Sequence, residues 1–441
     1  MYFRKMYNIY IILNVLPIAR GGAYMKKIIF CNLDLLRKKL DPEDYKDVNL
    51  KNFKYDVMLQ KRVIFIKKCK ELVQDSNNEI CFYSRKMFTL NSYEKQFKNA
   101  GYTDFHFWER KKVEDFVKRN TDKNNYFVFV GSKDADFFLA VNMRALLIVP
   151  TWLPLEEKTS RYGIHVSTVT QLIKFILVLN NHNVWYSRLK IDEITTAYSL
   201  MDARYVKYAE NKEEKEMIEN FQKLLKEDKS YNYSRILLYH FLAGMMNSTE
   251  FDDIELFGMI PSSNCDVNKH IYNFMTTVRL LKGKRLPRQY TTDVLIKDTN
   301  LLIRHTEKQK AHIGRSSSER IVLGAQDEFE TLCINSDYKR RIERLKKEKR
   351  FNVIIFDDYM THGNSFNAVR NLLENLGANK IIFVSLGLFR NPFQKKDYCI
   401  FGDVYSDSYT FEIEHTSVLN NFEINNHAKK EVAELCEIFH S

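Results

Sequence analysis

The chain has 441 residues, of which 45% are hydrophobic and 28% charged, and its formal net charge is +12. At roughly 100–200 residues per domain, this length predicts two or three domains with ordinary packed cores. With 14 Gly and 7 Pro, the composition excludes the collagen-like and disordered classes. The sequence contains no zinc-finger, RNA-recognition or Arg-rich motif, and its Lys residues are interleaved with Glu, so nucleic acid is not an expected partner.

The seven cysteines are widely spaced, and none forms a CxxC pair. This usage is typical of reduced thiols in a cytoplasmic protein and argues against a disulfide framework or a zinc site. Residues 7–19 are apolar but too few to span a bilayer, so no membrane partner is expected. Because Met25 opens a typical first strand, we expect residues 1–24 to be an upstream extension and Met25 to be the natural start.

Apolar runs alternate with helical periodicity along the first half of the chain. This alternation favours a parallel sheet, with any site in the loops that follow the strand C-terminal ends. We therefore expect a first domain at residues 25–184. Its strands are predicted at residues 28–31, 79–83, 105–108, 126–130 and 145–149. Its helices are predicted at residues 62–73, 92–99, 113–119, 136–143 and 170–179.

A charged helix is predicted at residues 210–228, where Glu and Lys recur at helical spacing, and it indicates a helical linker over residues 185–232. A second α/β series follows at residues 233–441. Its strands are predicted at residues 254–260, 293–303, 353–356 and 380–386, and its helices at 272–281 and 365–376. The expected fold class is α/β, with two Rossmann-like parallel-sheet domains joined by a helical connector.

The most informative segment begins after a short apolar run that is typical of a strand covered on both faces. Asp357 and Asp358 come directly after this run, and Thr361, Gly363 and Ser365 follow before a predicted helix. Gly363 can adopt backbone angles that are closed to other residues. Loop amides, a helix N-terminus and two hydroxyls can hold a phosphate, while the two acids can hold hydroxyls or a hydrated cation.

This segment resembles the motif of type I phosphoribosyltransferases that binds phosphoribosyl pyrophosphate (PRPP). In that motif a hydrophobic strand leads into two acids, Thr, Gly, and Ser or Thr. The resemblance implies that Asp357 and Asp358 bind the ribose hydroxyls of PRPP, act in catalysis and hold Mg²⁺. It also implies that the loop wraps the 5′-phosphate. The loop residues are Thr361, His362, Gly363, Asn364 and Ser365, with His362 and Asn364 at variable positions of the family.

A strand and turn at residues 258–263 look like the segment with which this family contacts pyrophosphate. The resemblance implies that Ser262 and Ser263 take part in PRPP binding.

Residues 302–309 and the later Arg315 are similar to the flexible-loop region of ComF-like phosphoribosyltransferases. By this resemblance Arg304 is a catalytic residue that closes over the pyrophosphate, with Lys308 and Arg315 as alternatives. The zinc-binding cysteine cluster of the ComF proteins is missing.

The first half of the chain resembles the haloacid dehalogenase-like (HAD) hydrolases. A strand that ends in Asn32-Leu33-Asp34 is similar to their first motif, Ser84 stands at their second motif, and residues 131–136 look like their fourth. The resemblance implies a phosphate site formed by Asp34, Ser84 and Asp136, with Asp134 as the alternative to Asp136.

Two acids of the HAD motifs are replaced in this chain. The nucleophilic Asp of the family falls on Asn32, whose neutral amide cannot form an aspartyl-phosphate, and another acid falls on Ser132. We therefore expect an inactive module that binds a phosphorylated ligand or serves as a scaffold, with residual hydrolysis by another route as the alternative. The family's phosphate-binding lysine stays open between Lys111, Lys112 and Lys118.

Three functions follow for the whole chain. The first is a Mg²⁺-assisted transferase that moves a phosphoribosyl group between PRPP and a nucleobase-like nitrogen acceptor, with pyrophosphate as the other product. The second is a non-catalytic regulatory protein that senses PRPP or a nucleotide, and the third is a HAD-type phosphatase. The pairing of modules resembles predicted bacterial stress or antiphage nucleotide-processing genes. The acceptor base and a homo-oligomeric state stay open.

Overall fold

The computed structural model describes residues 26–36, 57–76, 78–120, 125–179, 184–204, 207, 209–216, 218–219, 231–286, 294–308 and 325–440. The proposed extension, Met25, Gln309 and Arg315 lie outside these residues. Two six-stranded sheets organise an α/β fold, as expected. Within the described residues, no helix is long and apolar enough to cross a bilayer.

The first sheet contains the strands predicted for the first half of the chain and one more. Its strands are β1 (Lys27–Asn32), β2 (Glu79–Ser84), β3 (Phe105–Glu109), β4 (Tyr126–Val130), β5 (Leu146–Pro150) and β6 (Ile164–Val166). The helices are α1 (Val57–Ser76), α2 (Met87–Asn99), α3 (Arg110–Arg119), α4 (Asp134–Met143), α5 (Glu157–Arg161) and α6 (Val169–Val178). β6 and the short α5 were not among the predicted elements.

The strands of the first sheet are parallel and run in the order β3-β2-β1-β4-β5-β6. β1 and β4 are buried along almost their whole length, which explains their continuous apolar sequences. The strand order reverses between β1 and β4. In open sheets of this kind, ligands bind at such a switch point, outside the carboxyl ends of the strands.

The second sheet has the order β16-β7-β8-β13-β12-β9 and is mixed. Its strands are β7 (Ser187–Lys190), β8 (Thr195–Asp202), β9 (Leu256–Met259), β12 (Asn352–Met360), β13 (Lys380–Leu388) and β16 (Glu423–Ile424). β8, β13, β12 and β9 are parallel, while β7 pairs antiparallel with β8 on one side and with β16 on the other. Two small antiparallel pairs are β10 (Leu302–Arg304) with β11 (Leu332–Ile334) and β14 (Phe393–Gly402) with β15 (Tyr409–Leu419).

The helices of the second half cover both faces of this sheet or link its strands. They are α7 (Tyr231–Asn247), α8 (Lys269–Leu281), α9 (Gln326–Phe329), α10 (Lys339–Lys347), α11 (Asn364–Asn375) and α12 (Asn426–His440). α8 and α11 match predicted helices. The others were not predicted as separate elements.

The predicted helical linker at residues 185–232 is wrong in its first part. Residues 187–202 form β7 and β8, and β8 lies inside the second sheet, paired with β13. The hydroxyl groups of Ser199 on β8 and Ser385 on β13 lie 2.7 Å apart. Residues 212–216 and 218–219 are helical, and the rest of the charged helix predicted at 210–228 lies outside the described helical residues.

The long strand predicted at residues 293–303 is also wrong. Among the described residues 294–304, only Leu302–Arg304 form a strand, and a 3-10 turn precedes it at Ile296–Thr299. The buried Asn300 explains the interruption. Its side-chain amide donates to the Met259 carbonyl at 2.7 Å, and its side-chain oxygen accepts from the Met259 amide at 3.0 Å. Asn300 therefore makes the backbone hydrogen bonds at the outer edge of β9 that a neighbouring strand would otherwise make.

One hydrophobic core runs through both halves of the molecule. Phe175 on α6 contacts Tyr239 on α7 and Phe439 on α12, with ring centroids 6.4 and 5.8 Å apart. Gln171 on α6 donates to the Ile438 carbonyl at 3.0 Å. The two sheets are therefore fixed against each other by shared apolar packing.

Candidate functional site

The two predicted acids stand near the C-terminal end of β12, which is longer than the predicted strand. Asp357 and Asp358 are half-buried and still belong to the strand. β9 ends beside them, since Phe356 pairs with Met259 and its carbonyl accepts from the Ile260 amide at 2.9 Å. The structure therefore brings the predicted turn at residues 258–263 next to the acids.

Gly363 sets the shape of the predicted phosphate loop. Its φ is +81°, in the left-handed region, and it caps the N-terminus of α11. Its carbonyl accepts from the Asn367 amide at 2.8 Å. A Cβ at this position would lie 2.0 Å from Cε2 of the buried Phe393. Both the backbone angle and the space therefore require glycine here.

Each of the two acids accepts a hydrogen bond from the backbone amide that follows it. Oδ1 of Asp357 accepts from the Asp358 amide at 2.9 Å, and Oδ1 of Asp358 accepts from the Tyr359 amide at 2.7 Å. Burial and the neighbouring Asp358 carboxylate raise the pKa of Asp357 well above its ordinary value. A cation or hydroxyl donors at this position would favour the ionised form of the pair.

Mg²⁺ commonly binds to one or two carboxylates and completes its shell with substrate phosphates and water. Asp357 and Asp358 fit such a site. In the part of the chain that the structure describes, there is no group of three or more His, Cys, Asp or Glu residues that could hold a metal without a substrate.

Arg304 lies in a different place from the one expected for a residue on a mobile lid. Its side chain is buried and donates to the carbonyls of Ser262 at 2.9 Å and Pro261 at 3.2 Å. It also donates to the Thr331 hydroxyl and, at 2.8 Å, to Glu328. These contacts make Arg304 a positioning residue that holds the turn at Pro261 and Ser262, while its catalytic role stays a prediction.

Glu328 contacts these predicted segments, and no sequence motif marks it. Its side chain is almost fully buried, with 1% exposed. One carboxylate oxygen accepts from Arg304, and the other accepts from Lys308 and, at 2.6 Å, from the Ser365 hydroxyl. Burial raises the pKa of Glu328, but Lys308 and Arg304 outweigh burial, and the pKa falls to about 2.

The Glu328 carboxylate therefore joins two predicted segments. It links the end of the phosphate loop at Ser365 to the residues predicted to close over pyrophosphate, Arg304 and Lys308. The Lys308 amide also donates to the Ser263 carbonyl at 2.8 Å. Of the remaining loop residues, Thr361 is exposed, while His362 and Asn364 are half-buried.

Two residues predicted for the HAD-like site, Asp34 and Asp136, follow the strands β1 and β4 at the switch point of the first sheet. Asp136 is buried, and its Oδ1 accepts from Asn32 Nδ2 and the Tyr83 hydroxyl, both at 2.7 Å. Its Oδ2 accepts from the Lys133 amide at 3.1 Å. Burial raises the pKa of Asp136, and these hydrogen bonds partly offset that rise.

Asp34 and Ser84 lie at the same edge of the first sheet. Asp34 forms an ion pair with Lys133, and its amide donates to Asn32 Oδ1 at 2.9 Å. The Ser84 hydroxyl accepts from the Lys86 amide at 3.2 Å. Both Asp34 and Asp136 are therefore engaged by groups of the protein itself.

None of the three lysines considered from the sequence is placed against Asp34 or Asp136 by a described contact. Lys111 pairs with Asp115 at 3.4 Å, and Lys112 lies over the Trp108 ring, 4.5 Å from its centroid. Lys118 is exposed. Lys133 is the lysine at the switch point, and its position directly before α4 is the signal that could have identified it.

Comparisons with family models, curated proteins and solved structures give no match to this chain.

Proposed function

We propose that the second half of the chain is a phosphoribosyltransferase that uses PRPP and a nucleobase-like nitrogen acceptor. The observation that carries this proposal is the convergence of three separate segments, at residues 258–263, 302–308 and 357–365, around the ends of the adjacent strands β9 and β12. The segments combine a carboxylate pair, a glycine turn at a helix N-terminus and a set of cationic donors. A ribose carrying two phosphate groups calls for these three kinds of partner.

In this proposal Asp357 and Asp358 accept hydrogen bonds from the ribose hydroxyls. The loop amides before α11 and the Thr361 and Ser365 hydroxyls donate to the 5′-phosphate. The turn at Ser262 and the cation Lys308 face the pyrophosphate. Mg²⁺, bound to the acids and to PRPP oxygens, would neutralise charge on the leaving group.

The reaction balances without a further reactant. The bond between the ribose C1′ and a pyrophosphate oxygen breaks, and its electron pair leaves with pyrophosphate. The lone pair of the acceptor nitrogen forms the new bond to C1′, and the proton on that nitrogen passes to solvent. The protein contributes by holding both partners in line and by stabilising the charge on the leaving group.

The test is pyrophosphate release from PRPP with a panel of nucleobases and Mg²⁺. Asp357→Asn/Asp358→Asn should lower the rate by about a hundredfold or more, because the variant loses the charges that hold ribose and metal. The matched control is Asp403→Asn/Asp407→Asn, which removes two acids from the turn between β14 and β15. Equal turnover by the Asp357→Asn/Asp358→Asn variant and the wild type would contradict the proposal.

A PRPP or nucleotide sensor without chemistry is the second candidate. Glu328 favours this candidate, because its carboxylate accepts hydrogen bonds from Ser365 and Lys308, two of the groups predicted to bind phosphate. Tight binding of PRPP without turnover on any base would support the sensor. A HAD-type phosphatase is less favoured, because the Asn32 amide, the Tyr83 hydroxyl and the Lys133 amide already bind both oxygens of Asp136.

A further inference from the structure

A cleft between the two halves of the molecule is large enough for a nucleotide. Its main cavity has a volume of ≈590 Å³, and a smaller cavity of ≈260 Å³ adjoins it. The two share Thr151, His165, Arg235 and Tyr239. Small-molecule sites commonly have volumes of roughly 300–1,000 Å³ and often lie between domains.

The walls of this cleft are fixed by packing. One wall is the segment from β5 to β6, and the other is formed by α7 and α8. Tyr239 on α7 is 2% exposed and packs against Phe175 of the first half. Its hydroxyl accepts from the His165 amide at 3.1 Å. The cavity is therefore part of a rigid interface, and a ligand would find it already formed.

The charged groups that line the main cavity are cations. Arg161 lies on the first wall and Arg235 on the second, and no Asp or Glu is among the described residues that line it. The Arg235 guanidinium is held in place, because Nη2 and Nε donate to the Tyr239 hydroxyl at 2.8 and 3.2 Å. The nearest acid to Arg161 is the exposed Glu157 at 3.8 Å, a surface pair that water screens. The cleft therefore attracts an anion.

The remaining lining suits an aromatic ring with polar edges. Tyr162 and Phe274 line the main cavity. His165 Nε2 lies 2.7 Å from the Thr159 carbonyl, so Nε2 carries the hydrogen. Burial lowers the pKa of His165, which favours the neutral ring, and Nδ1 of this lining residue is then a hydrogen-bond acceptor. Two aromatic side chains and a hydrogen-bond acceptor thus line the cavity beside the arginines, and a nucleobase uses contacts of these kinds.

We propose that this cleft binds a nucleoside 5′-monophosphate. The phosphate lies between Arg161 and Arg235, and the base lies against Tyr162 and Phe274. This cleft is separate from the proposed PRPP site, because none of the residues that line the main cavity belongs to residues 258–263, 302–308 or 357–365. It therefore does not depend on the transferase proposal. A nucleotide bound here would touch both halves of the chain at once.

The test is amide hydrogen exchange of the full chain with AMP, GMP, CMP or UMP, with adenosine and ribose 5-phosphate as the separated parts. At least one nucleotide should slow exchange in peptides from residues 157–166 and 269–281, and it should bind about tenfold more tightly than either part. Arg235→Gln should weaken binding about tenfold, whereas Arg119→Gln, which removes an exposed arginine elsewhere, should not.

Thr277→Trp is a second variant that fills the main cavity from α8, and it should abolish protection of both peptides. Protection confined to residues 357–366 would overturn the cleft proposal and support the transferase site. Protection of the cleft peptides in a protein without transferase activity would support the cleft proposal alone. If no nucleotide protects the cleft at millimolar concentration, or if Arg235→Gln binds as the wild type does, the proposal is wrong.

Discussion

Replacing Glu328 with Gln tests how the proposed PRPP site is held together. The buried carboxylate accepts hydrogen bonds from Arg304, Lys308 and Ser365. A Gln side chain has one oxygen and one NH₂ group, so its NH₂ must face one of these donors. Because the variant leaves a buried cation without its counter-charge, we expect the free energy of unfolding at pH 7 to fall by about 3 kcal/mol.

Titration of the same group gives a similar magnitude. The pKa of Glu328 falls from its ordinary value of 4.5 to about 2, and at ~1.36 kcal/mol per pKa unit this corresponds to about 3 kcal/mol. The pKa is lower in the folded than in the unfolded chain. This stabilisation is therefore complete above the unfolded pKa and is lost as the pH falls through the folded pKa. The gap between wild type and Glu328→Gln should thus be full at pH 7 and shrink between about pH 4.5 and 2.

The assay is urea unfolding of both proteins at a series of pH values. The control is Glu330→Gln, which removes the same charge from an exposed side chain that bonds to the Gln326 amide at 2.9 Å. The control should stay within about 0.5 kcal/mol of the wild type. If Glu328→Gln is equally close to the wild type at pH 7, or if its deficit does not change with pH, the reasoning about this carboxylate is refuted.

Two further substitutions test the loop and the first sheet. Gly363→Ala should cost about 2–4 kcal/mol of stability and weaken ribose 5-phosphate binding, because φ is positive here and the added Cβ would clash with Phe393. The control is Gly377→Ala, where φ is +82° but the nearest atoms belong to the flexible Lys346 side chain. The control should cost about 1 kcal/mol of stability and leave binding, measured by calorimetry, unchanged. Asn32→Asp would place a second carboxylate against Asp136. Thermal unfolding should therefore show a loss of about 3 kcal/mol of stability at pH 7, and this loss should diminish as the pH falls and one carboxyl takes up a proton. A variant that is as stable as the wild type and gains Mg²⁺-dependent phosphatase activity would contradict the closed geometry described for this site.

The sequence identified the central parallel strands well, because their burial on both faces leaves a continuous apolar run. β4 was predicted with its observed bounds. β7 and β8 were missed, because Ser187–Lys190 and Thr195–Asp202 mix polar and apolar residues. One of these polar side chains, Ser199, is satisfied by Ser385, which lies far away in the chain. The hairpin of β14 and β15 was missed for a similar reason, since β15 is largely exposed and its sequence is not apolar.

For the candidate site too, features that lie in consecutive residues could be predicted from the sequence, and features that depend on distant contacts could not. The segment around Asp357 and Gly363 could be identified because its chemistry lies in consecutive residues. Glu328 could not, because a single buried acid is marked by its partners, and these lie 20 to 37 residues away along the chain. Arg304 was predicted to lie on a mobile loop, whereas its side chain is buried, because the sequence shows the charge of a residue but not its burial.

The packing of α12 bears on the order in which the chain can fold during synthesis. Domains usually fold as units from the N-terminus while the ribosome is still working. Here α6, which belongs to the first half, is covered by α12, and Phe175 meets Phe439 across that contact. The part of α6 that packs against α12 stays uncovered until residues 426–440 have emerged from the ribosome. Packing of the first half is therefore completed only after the second half has been synthesised, and until then the nascent protein exposes apolar side chains of α6 on which a chaperone could act.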